Sequence, residues 1–230
     1  MSEEILKEYI EKHENGTIKV EGFTKNGLPH GKHIIFYQSG LIKAAMNYKD
    51  GKEHGEWIWY YEDSTIELIG NFKDGQPHGK WGGYYLGGEK KDTGQYRKGK
   101  KYGRFTFYYQ NGEMESKHNY RNDLLNGKQI SYYENGNRSV VQNYKNGKEH
   151  GKSIMYDIDG KIMGEVNIKN GVSHGKMTIY YEGSGKVYLK ANFDNGKEDG
   201  KWKYYNEDGT ILNEIIYEKG IIIAPSDNME

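Results

Sequence analysis

The stretch "KNGKEHGKSIMYDIDG" (residues 145–160) contains a short apolar segment with one tight-turn signal on each side of it. Asn146-Gly147 and Asp159-Gly160 are dipeptides that supply the positive φ angles required in tight β-turns. The segment between them has the length and the aromatic ending of a single strand. The stretch therefore predicts a strand between two turns, and it leaves open whether His150, beside the first turn, is chemical or structural.

This stretch belongs to a 24-residue repeat that covers most of the chain. Gly151 recurs at constant spacing, apart from one extra residue near "EGSG" (182–185). We number the repeats 1 to 8 and count positions within each from its first glycine. These glycines are Gly31, Gly55, Gly79, Gly103, Gly127, Gly151, Gly175 and Gly200.

Each repeat has room for two strands and two turns, which predicts an all-β fold. We expect an elongated, single-sheet antiparallel array of β-hairpins that is stabilised by packing between neighbours. One repeat domain is expected over residues 1–230, with an incomplete leading repeat and cap at 1–30, eight repeats at 31–220 and a tail at 221–230. A two-residue loop at positions 9 and 10 places alternate residues on one face. In repeat 2 that face would hold Trp57, Trp59, Tyr61, Ile66, Leu68, Gly70 and Phe72.

Composition excludes several classes of protein. The 33 basic and 33 acidic side chains give no net charge, which argues against wholesale attraction to nucleic acid or anionic lipid. The absence of cysteine excludes disulfides, thiolate nucleophiles and Cys-ligated metals. The apolar runs are too short to cross a membrane, and the first residues lack the apolar core of a secretory signal. We therefore expect a cytoplasmic protein.

The repeats, best seen in "NGKEHGEWIWYYED" and "NGNRSVVQNYKNGKEHG", resemble the MORN repeat, in the bacterial variant found in YwqK-like proteins. The resemblance covers about residues 16–220. It implies an extended β-hairpin array that acts as an interaction module, in some cases at membranes. For the YwqK-like type it implies an antitoxin that neutralises a protein toxin.

Histidine recurs at position 24, in His30, His54, His78, His150 and His174, where Tyr102, Asn126 and Asp199 also occur. Neighbouring members of this row lie two strands apart, about 9–10 Å, whereas metal ligands converge on a single ion. A structural role in the turn is therefore predicted. No catalytic triad, phosphate-binding loop or dinucleotide fingerprint stands out. We predict a protein that is not an enzyme and that has no catalytic residue, metal or cofactor.

An aromatic residue occupies position 6 in all eight repeats. Two interpretations are open for this aromatic ladder: cross-strand packing, or a tyrosine-rich recognition surface. The residues predicted to bind a partner on the second interpretation are Tyr60, Tyr84, Tyr108, Tyr132 and Tyr156.

Residues 90–104, "KKDTGQYRKGKKYGR", carry seven basic side chains and one acid, Asp92. Gly82 and Gly83 also thin the preceding strand, and Leu124 and Leu125 occupy a later turn as an anchor or a packing plug. The basic run is either a solvated charge cluster or a patch for an acidic partner or nucleic acid. Its members are Lys90, Lys91, Arg97, Lys98, Lys100, Lys101 and Arg104.

The sequence favours binding over catalysis. The leading prediction is a module that neutralises a protein partner, a toxin or an effector enzyme that handles nucleic acid, by covering its working surface through residues 79–133. The alternative is a structural or membrane-surface scaffold, with membrane binding disfavoured. The third hypothesis is RNA binding through the basic run. Edge-to-edge pairing into a homodimer is a further option for an open sheet.

Overall fold

The computed structural model describes residues 5–225, and these form 24 β-strands and no helix. Two compact bodies are present. The N-terminal body holds residues 5–112 and 121–123 of the described chain, and the C-terminal body holds 113–120 and 124–225. The predicted all-β array of antiparallel hairpins is confirmed. The predicted single domain over 1–230 stays a prediction, and residues 1–4 and 226–230 of its ends lie outside the described residues.

In the N-terminal body, each strand pairs antiparallel with its neighbour in sequence. Two-residue strands precede some of the longer ones and pair with the same partner. The strands are β1 (Leu6–Lys12), β2 (Ile18–Lys25), β3 (Leu28–Phe36), β4 (Ile42–Lys49), β5 (Lys52–Glu53), β6 (Gly55–Tyr60), β7 (Ile66–Lys73), β8 (Gln76–Pro77), β9 (Gly79–Tyr84), β10 (Lys90–Arg97) and β11 (Lys100–Tyr108).

The C-terminal body repeats the same plan, starting from a strand whose last residue belongs to the N-terminal body. Its strands are β12 (Met114–Arg121), β13 (Leu124–Leu125), β14 (Gly127–Tyr132), β15 (Arg138–Lys145), β16 (Lys148–Glu149), β17 (Gly151–Tyr156), β18 (Ile162–Lys169), β19 (Val172–Tyr180), β20 (Val187–Asp194), β21 (Lys197–Glu198), β22 (Gly200–Tyr205), β23 (Ile211–Glu218) and β24 (Ile221–Pro225).

The turns at positions 20 and 21 are two-residue hairpin loops. Lys49 pairs directly with Lys52 across Asp50 and Gly51. These two loop residues have φ angles of 51° and 81°, which a type I′ turn requires and which Asn, Asp and Gly tolerate best. The prediction drawn from the Asn-Gly and Asp-Gly dipeptides is confirmed for these turns.

The turns at positions 9 and 10 are longer than predicted. In repeat 1, the N–H of Tyr37 donates to the carbonyl of Leu41, and the N–H of Gly40 donates back to the carbonyl of Tyr37 at 2.9 Å. Gly40 has φ +86°. This is a three-residue loop in which the positive-φ residue makes a bulge. The predicted two-residue loop is therefore wrong at this turn.

A second bulge in the following strand restores the register of the hairpin. Phe36 pairs with Ile42 and Ile35 with Ala44, so Lys43 is the extra residue. Because directly opposed residues share a face, position 12 lies with position 6, not on the core face where it was predicted. Positions 3, 5, 14 and 16 keep the predicted face, because their pairing is the one expected.

The core lies on that predicted face. Ala44, Met46 and Trp57 form a buried cluster in the N-terminal body, and Leu189, Ala191 and Trp202 form its counterpart in the C-terminal body. In the N-terminal body, rings from positions 3 and 18 alternate in a continuous stack. Its centroid separations run from 4.6 to 5.6 Å along Tyr48, Trp57, Phe72, Trp81, Tyr96 and Phe105.

Residues near the two ends also form strands. β1 pairs with β2 over seven residue pairs, so the predicted leading segment continues the array. β24 pairs with β23, so the start of the predicted tail is a strand as well. The last five residues, 226–230, lie outside the described residues.

Candidate functional site

The predicted tyrosines lie on the face opposite the core stack. In the N-terminal body, Tyr60, Tyr84 and Tyr108 are half-buried, and no hydroxyl of these three forms a hydrogen bond with another residue of the described chain. Tyr132 and Tyr156 occupy the equivalent place in the C-terminal body and are half-buried too. We call this surface the tyrosine face.

An uncharged row runs beside the tyrosines of the N-terminal body. Successive cross-strand partners connect Ile34 with Ala45, Ala45 with Ile58, Ile58 with Ile69 and Ile69 with Gly82. The side chains of the three isoleucines and of Ala45 are half-buried, and Gly82 is buried. The tyrosine face therefore combines tyrosine rings with an apolar centre, and charged side chains are confined to its borders.

Within the described part of the N-terminal body, the rings that pack against one another lie mainly at positions 3 and 18, and the position-6 tyrosines are not among them. The ring contacts of the N-terminal body join positions 3 and 18 on the core face, such as Trp57 with Phe72 at 4.6 Å and Trp81 with Tyr96 at 5.4 Å. The assignment of Tyr60, Tyr84, Tyr108, Tyr132 and Tyr156 to partner binding stays a prediction.

Sequence reasoning missed the role of the second tyrosine, at position 7. The hydroxyl of Tyr37 donates to the carbonyl of Tyr60 at 2.6 Å, and that of Tyr61 donates to the carbonyl of Tyr84 at 2.9 Å. Tyr85, Tyr133 and Tyr181 repeat the bond to the next repeat. Position 7 is thus a hydrogen-bonded tie between repeats, and its invariance among most repeats was the signal that could have shown it.

The predicted basic run is divided by the fold. Lys90 and Arg97 stand at opposite ends of β10, about 23 Å apart at the rise of a strand. Lys90 pairs with Tyr84 and so borders the tyrosine face, and by strand alternation Arg104 lies on the face of Tyr108. Lys91 places its Nζ 5.8 Å from the ring centre of Tyr85.

Three of the seven basic residues stay together. Arg97, Lys98 and Lys100 line a shallow depression that also contains Tyr102, Arg121 and Asn122, all in the N-terminal body. The guanidinium carbon of Arg97 is 5.6 Å from the ring centre of Tyr102. We call this the basic depression. Sequence reasoning missed Arg121, which is 24 residues from Arg97 and becomes its neighbour because the two turns are adjacent.

Lys101, the seventh basic residue, points to a partly buried acid on the core face. Its Nζ lies 5.1 Å from the ring centre of Phe105. Burial raises the pKa of the Asp92 carboxyl, and the charges of Lys91 and Lys101 oppose that rise. Gly83 makes room for this carboxylate, since a Cβ there would lie 2.6 Å from its Oδ2.

Three of the five position-24 histidines lie beside a carboxylate of a neighbouring turn. The Nδ1 atoms of His30, His54 and His174 lie 3.3, 3.5 and 3.4 Å from carboxylates in the next turn, those of Asp50, Asp74 and Asp194. Each of these three histidines therefore contacts the turn of the following repeat. Among residues 5–225, no group of three or more His, Asp or Glu side chains is arranged to hold a metal ion.

A different histidine, His33, occupies the core face in repeat 1. It is 5% exposed and stacks edge-on against Tyr48 at 4.9 Å. Burial lowers the pKa of its imidazole. Because it fills position 3, which holds Trp57 and Trp81 in the next two repeats, it is part of the core stack.

The leucines of the 122–127 turn differ in exposure. Leu124 is 50% exposed, and its Cδ2 would lie 3.3 Å from a Cβ at Gly147. Leu125 is half-buried. Leu124 therefore packs over the following turn but leaves half of its side chain accessible. The described part of the chain also contains no helix that could span a membrane.

Four segments of the chain match the model of the MORN repeat variant, residues 53–74, 101–122, 125–146 and 198–219. MORN repeats are generally modules that bind proteins or membranes. MORN repeats are typically non-catalytic. A search of curated proteins gave no match.

Two solved structures are similar over most of the chain. One is a crystal structure of TcdB2-TccC3-Cdc42, with 10% identity and a TM-score of 0.24 over 93% of this chain and 17% of that chain. The other is a porin-like protein from Bacteroides uniformis ATCC 8492, with 12% identity and a TM-score of 0.20 over 84% of this chain and 90% of that chain. At these TM-scores neither structure indicates a function. The match to the MORN repeat variant is what the chain shares with a known family.

Proposed function

We propose that this protein is a binding module that neutralises a partner protein by covering its working surface, as an antitoxin or inhibitor does. The tyrosine face of the N-terminal body is the contact surface in this proposal. The observation that carries it is that Tyr60, Tyr84 and Tyr108 are neither part of the core stack nor hydrogen-bonded through their hydroxyls.

Two properties of the tyrosine face support a protein partner. Interface centres are rich in tyrosine and poor in charge, and the row from Ile34 to Ile69 provides an uncharged centre beside the rings. Tyrosine also contributes a large contact area with only two rotatable torsions, and its hydroxyl forms directional bonds with the partner. These properties suit a rigid strand surface that docks without rearrangement.

Capture from the native host tests the proposal. The full chain would be used as bait in three forms: unchanged, with Tyr60, Tyr84 and Tyr108 all changed to Ser, and with two exposed leucines, Leu28 and Leu86, changed to Ser as a matched control. We expect one near-stoichiometric protein with the unchanged and control baits, and its loss with the tyrosine variant. Circular dichroism and a thermal melt establish that each bait is folded.

Neutralisation is tested with the captured protein itself. Its expression alone should inhibit growth, and co-expression of the unchanged chain, but not of the tyrosine variant, should restore growth. Equal capture by the folded tyrosine variant would contradict the proposed contact surface. Recovery of membrane fractions by all three baits would favour the scaffold alternative.

A further inference from the structure

The basic depression carries an uncompensated positive charge. Within residues 5–225, none of Arg97, Lys98, Lys100 and Arg121 has an ion-pair partner. Some exposed cations elsewhere do have an acidic partner: Lys19 lies 2.6 Å from Glu11, and Lys201 lies 3.0 Å from Glu214. Four unpaired cations around one depression raise the local potential and attract a complementary anion.

The backbone adopts an unfavourable conformation to place one of these cations. Lys98 has φ +52° at position 20, where the corresponding turns hold Asn or Asp in all repeats except the last. A lysine in this region is uncommon, because Asn, Asp and Gly tolerate it with less steric cost. Arg97 also pairs directly with Lys100, which sets like charges opposite each other. The like-charge pair also occurs at Lys49–Lys52 and Lys145–Lys148, so it is the lysine at position 20, which costs stability relative to Asn or Asp, that favours a binding role.

Repeat 3 differs from the two earlier repeats at positions 20 and 24. In repeats 1 and 2, position 20 holds Asp50 or Asp74, and each carboxylate faces a histidine at position 24. At the basic depression, Lys98 replaces the carboxylate. Tyr102 follows it at position 24 and is 38% exposed. By the same 20-residue spacing the histidine that corresponds to Lys98 is His78, so here a base has replaced the acid of the turn. The next position 24 holds a neutral ring, Tyr102, close to Arg97.

Hydrogen bonds hold the two sides of the depression together. The N–H of Asp123 donates to the carbonyl of Lys101 at 3.1 Å, and the N–H of Lys101 donates to Oδ1 of Asp123 at 2.8 Å. These bonds fix the Arg121–Asp123 turn beside the turn of Lys98. The Asp123 carboxylate, the acid nearest to the site in sequence, is used by this backbone bond. The arrangement of the cations is therefore largely formed before a ligand binds.

We propose that the basic depression binds a short Asp/Glu-rich segment of the partner protein. The inference rests on the proposed function and names the chemistry of one contact within it. Arg97 and Arg121 supply forked donors that match a carboxylate, and Lys98 and Lys100 supply mobile point charges. Tyr102 supports the Arg97 guanidinium, and Asn122 adds a neutral polar group at the border.

A long polyanion fits this site less well. The next turns along the same edge have no net charge, because Asp74 offsets Lys73, and Asp50 and Glu53 offset Lys49 and Lys52. The turns on the opposite edge carry Glu62, Asp63 and Glu89. A nucleic acid that extends beyond the depression would meet these acids. A segment with a few carboxylates ends before it reaches them. The short extent of the positive charge therefore favours an acidic peptide.

The test measures binding of two labelled probes to the full chain by fluorescence anisotropy. One probe is an octa-glutamate peptide and the other is a short oligo-dT strand. The test variant changes Arg97, Lys98 and Arg121 to Glu. The matched control changes Lys145, Lys148 and Lys169 to Glu, which are exposed lysines at equivalent turn positions of the C-terminal body. We expect the peptide to bind at least about tenfold more weakly to the test variant and less than about twofold more weakly to the control.

A single change separates binding from stability. Lys98→Asn restores the residue type of the other turns, so we expect a higher melting temperature together with weaker peptide binding, about threefold. A residue with only a structural role would not move the two measurements in these directions. Lower stability with unchanged binding would overturn the proposal.

The remaining outcomes also decide the matter. Preferential binding of oligo-dT, lost in the test variant and steeply dependent on salt, would overturn the acidic-peptide class in favour of nucleic acid. Equal loss of peptide binding in test and control variants would show non-specific attraction. If the bait with Arg97, Lys98 and Arg121 changed to Glu captures the partner with unchanged affinity while the tyrosine variant loses it, this inference fails and the proposed function stands.

Discussion

Repeats 2 and 3 have the same strands and turns in the same body of the molecule, yet they differ in the side chains of the core face and of the turn. Repeat 2 places Trp57, Trp59 and Phe72 on the core face, and Asp74 in its position-20 turn lies beside a histidine, His54. Repeat 3 keeps rings at positions 3 and 18, Trp81 and Tyr96, but has Gly83 and Asp92 where repeat 2 has Trp59 and Leu68. Its turn carries the cations of the basic depression.

The difference shows how a repeat array can carry function without losing its fold. Trp81 and Tyr96 continue the stack through repeat 3, with contacts at 5.3 Å to Phe72 and 5.6 Å to Phe105. As long as the stack is continuous, the remaining positions of the repeat are free to change. Stability in a repeat protein depends on contacts between neighbours, so an irregular repeat is supported from both sides.

The largest expected effect is loss of a stack residue in the regular repeat. Trp57 is 6% exposed, and its Nε1 donates to the carbonyl of Asn47 at 2.9 Å. We expect Trp57→Ala to lower the free energy of unfolding by about 3–5 kcal/mol. Lys100→Ala in the irregular repeat should change it by less than about 0.5 kcal/mol. Urea denaturation followed by circular dichroism measures both, and a comparable loss in the two variants would contradict the division of roles.

The next effect concerns two glycines with different surroundings. A Cβ at Gly70 would lie 2.3 Å from the ring of Trp81, whereas a Cβ at Gly82 would find its nearest neighbour at 3.7 Å. We expect Gly70→Ala to cost about 1–3 kcal/mol by overpacking. Gly82→Ala should be neutral or stabilising by up to about 1 kcal/mol, because it restricts the unfolded chain without a clash. Equal melting temperatures of the two variants would refute the close approach at Gly70.

A smaller effect is expected for the two neighbouring tyrosines of repeat 2. Tyr61→Phe removes the hydrogen bond to the carbonyl of Tyr84, and we expect a loss of about 0.5–1.5 kcal/mol. Tyr60→Phe removes a hydroxyl that forms no bond within the described chain, so stability should be unchanged. Thermal melts of the two variants measure the difference. A larger loss for Tyr60→Phe would exchange the roles assigned to positions 6 and 7.

The smallest effect is a pH-dependent change in melting temperature, which we expect to have opposite signs for two aspartate variants. Burial raises the pKa of Asp92 above its ordinary value of 3.8, so the native state binds this proton more tightly than the unfolded chain. The resulting destabilisation grows as pH rises from that value through the native pKa. We expect Asp92→Asn to melt higher than the unchanged protein at neutral pH, with a difference that shrinks in acid.

Asp63 in repeat 2 provides the matched control. Hydrogen bonds from the hydroxyl and the N–H of Thr65 lower its pKa below 3.8, so its contribution is present above that value and is lost as pH falls through the lower native pKa. Asp63→Asn should therefore melt slightly lower at neutral pH, and this deficit should also shrink in acid. Differences of the same sign for the two variants would contradict the assigned environments.

Much of the fold was predictable because the signals are local and repeated. Asp50-Gly51 and its equivalents set the two-residue loops through their own φ preferences. The loop ending at Gly40 was predicted one residue too short, because a positive-φ glycine suits both a two-residue loop and a bulged three-residue loop. Apart from position 12, the core face was nevertheless correct at the paired positions, since the bulge at Lys43 compensates within the same hairpin.

The candidate sites were predicted less completely. The basic run was identified by its composition, but alternation and strand length separate Lys90 from Arg97. Arg121 was missed because it is an isolated arginine in sequence. The position-7 tyrosines were given no role, since the acceptor of Tyr37, the carbonyl of Tyr60, is 23 residues away.

The sequence by itself determined the 24-residue period, the two strands of each repeat, the chemistry of the tight turns and the face that holds the core. These properties depend on residues within a few positions of one another, where backbone preferences and strand alternation act directly. Only the tertiary structure decided which residues meet across repeats: the tyrosine ties, the ring stack through Trp81 and the association of Arg97 with Arg121. Strand pairing brings together residues that lie a full repeat apart, and this distance hides them from any local pattern.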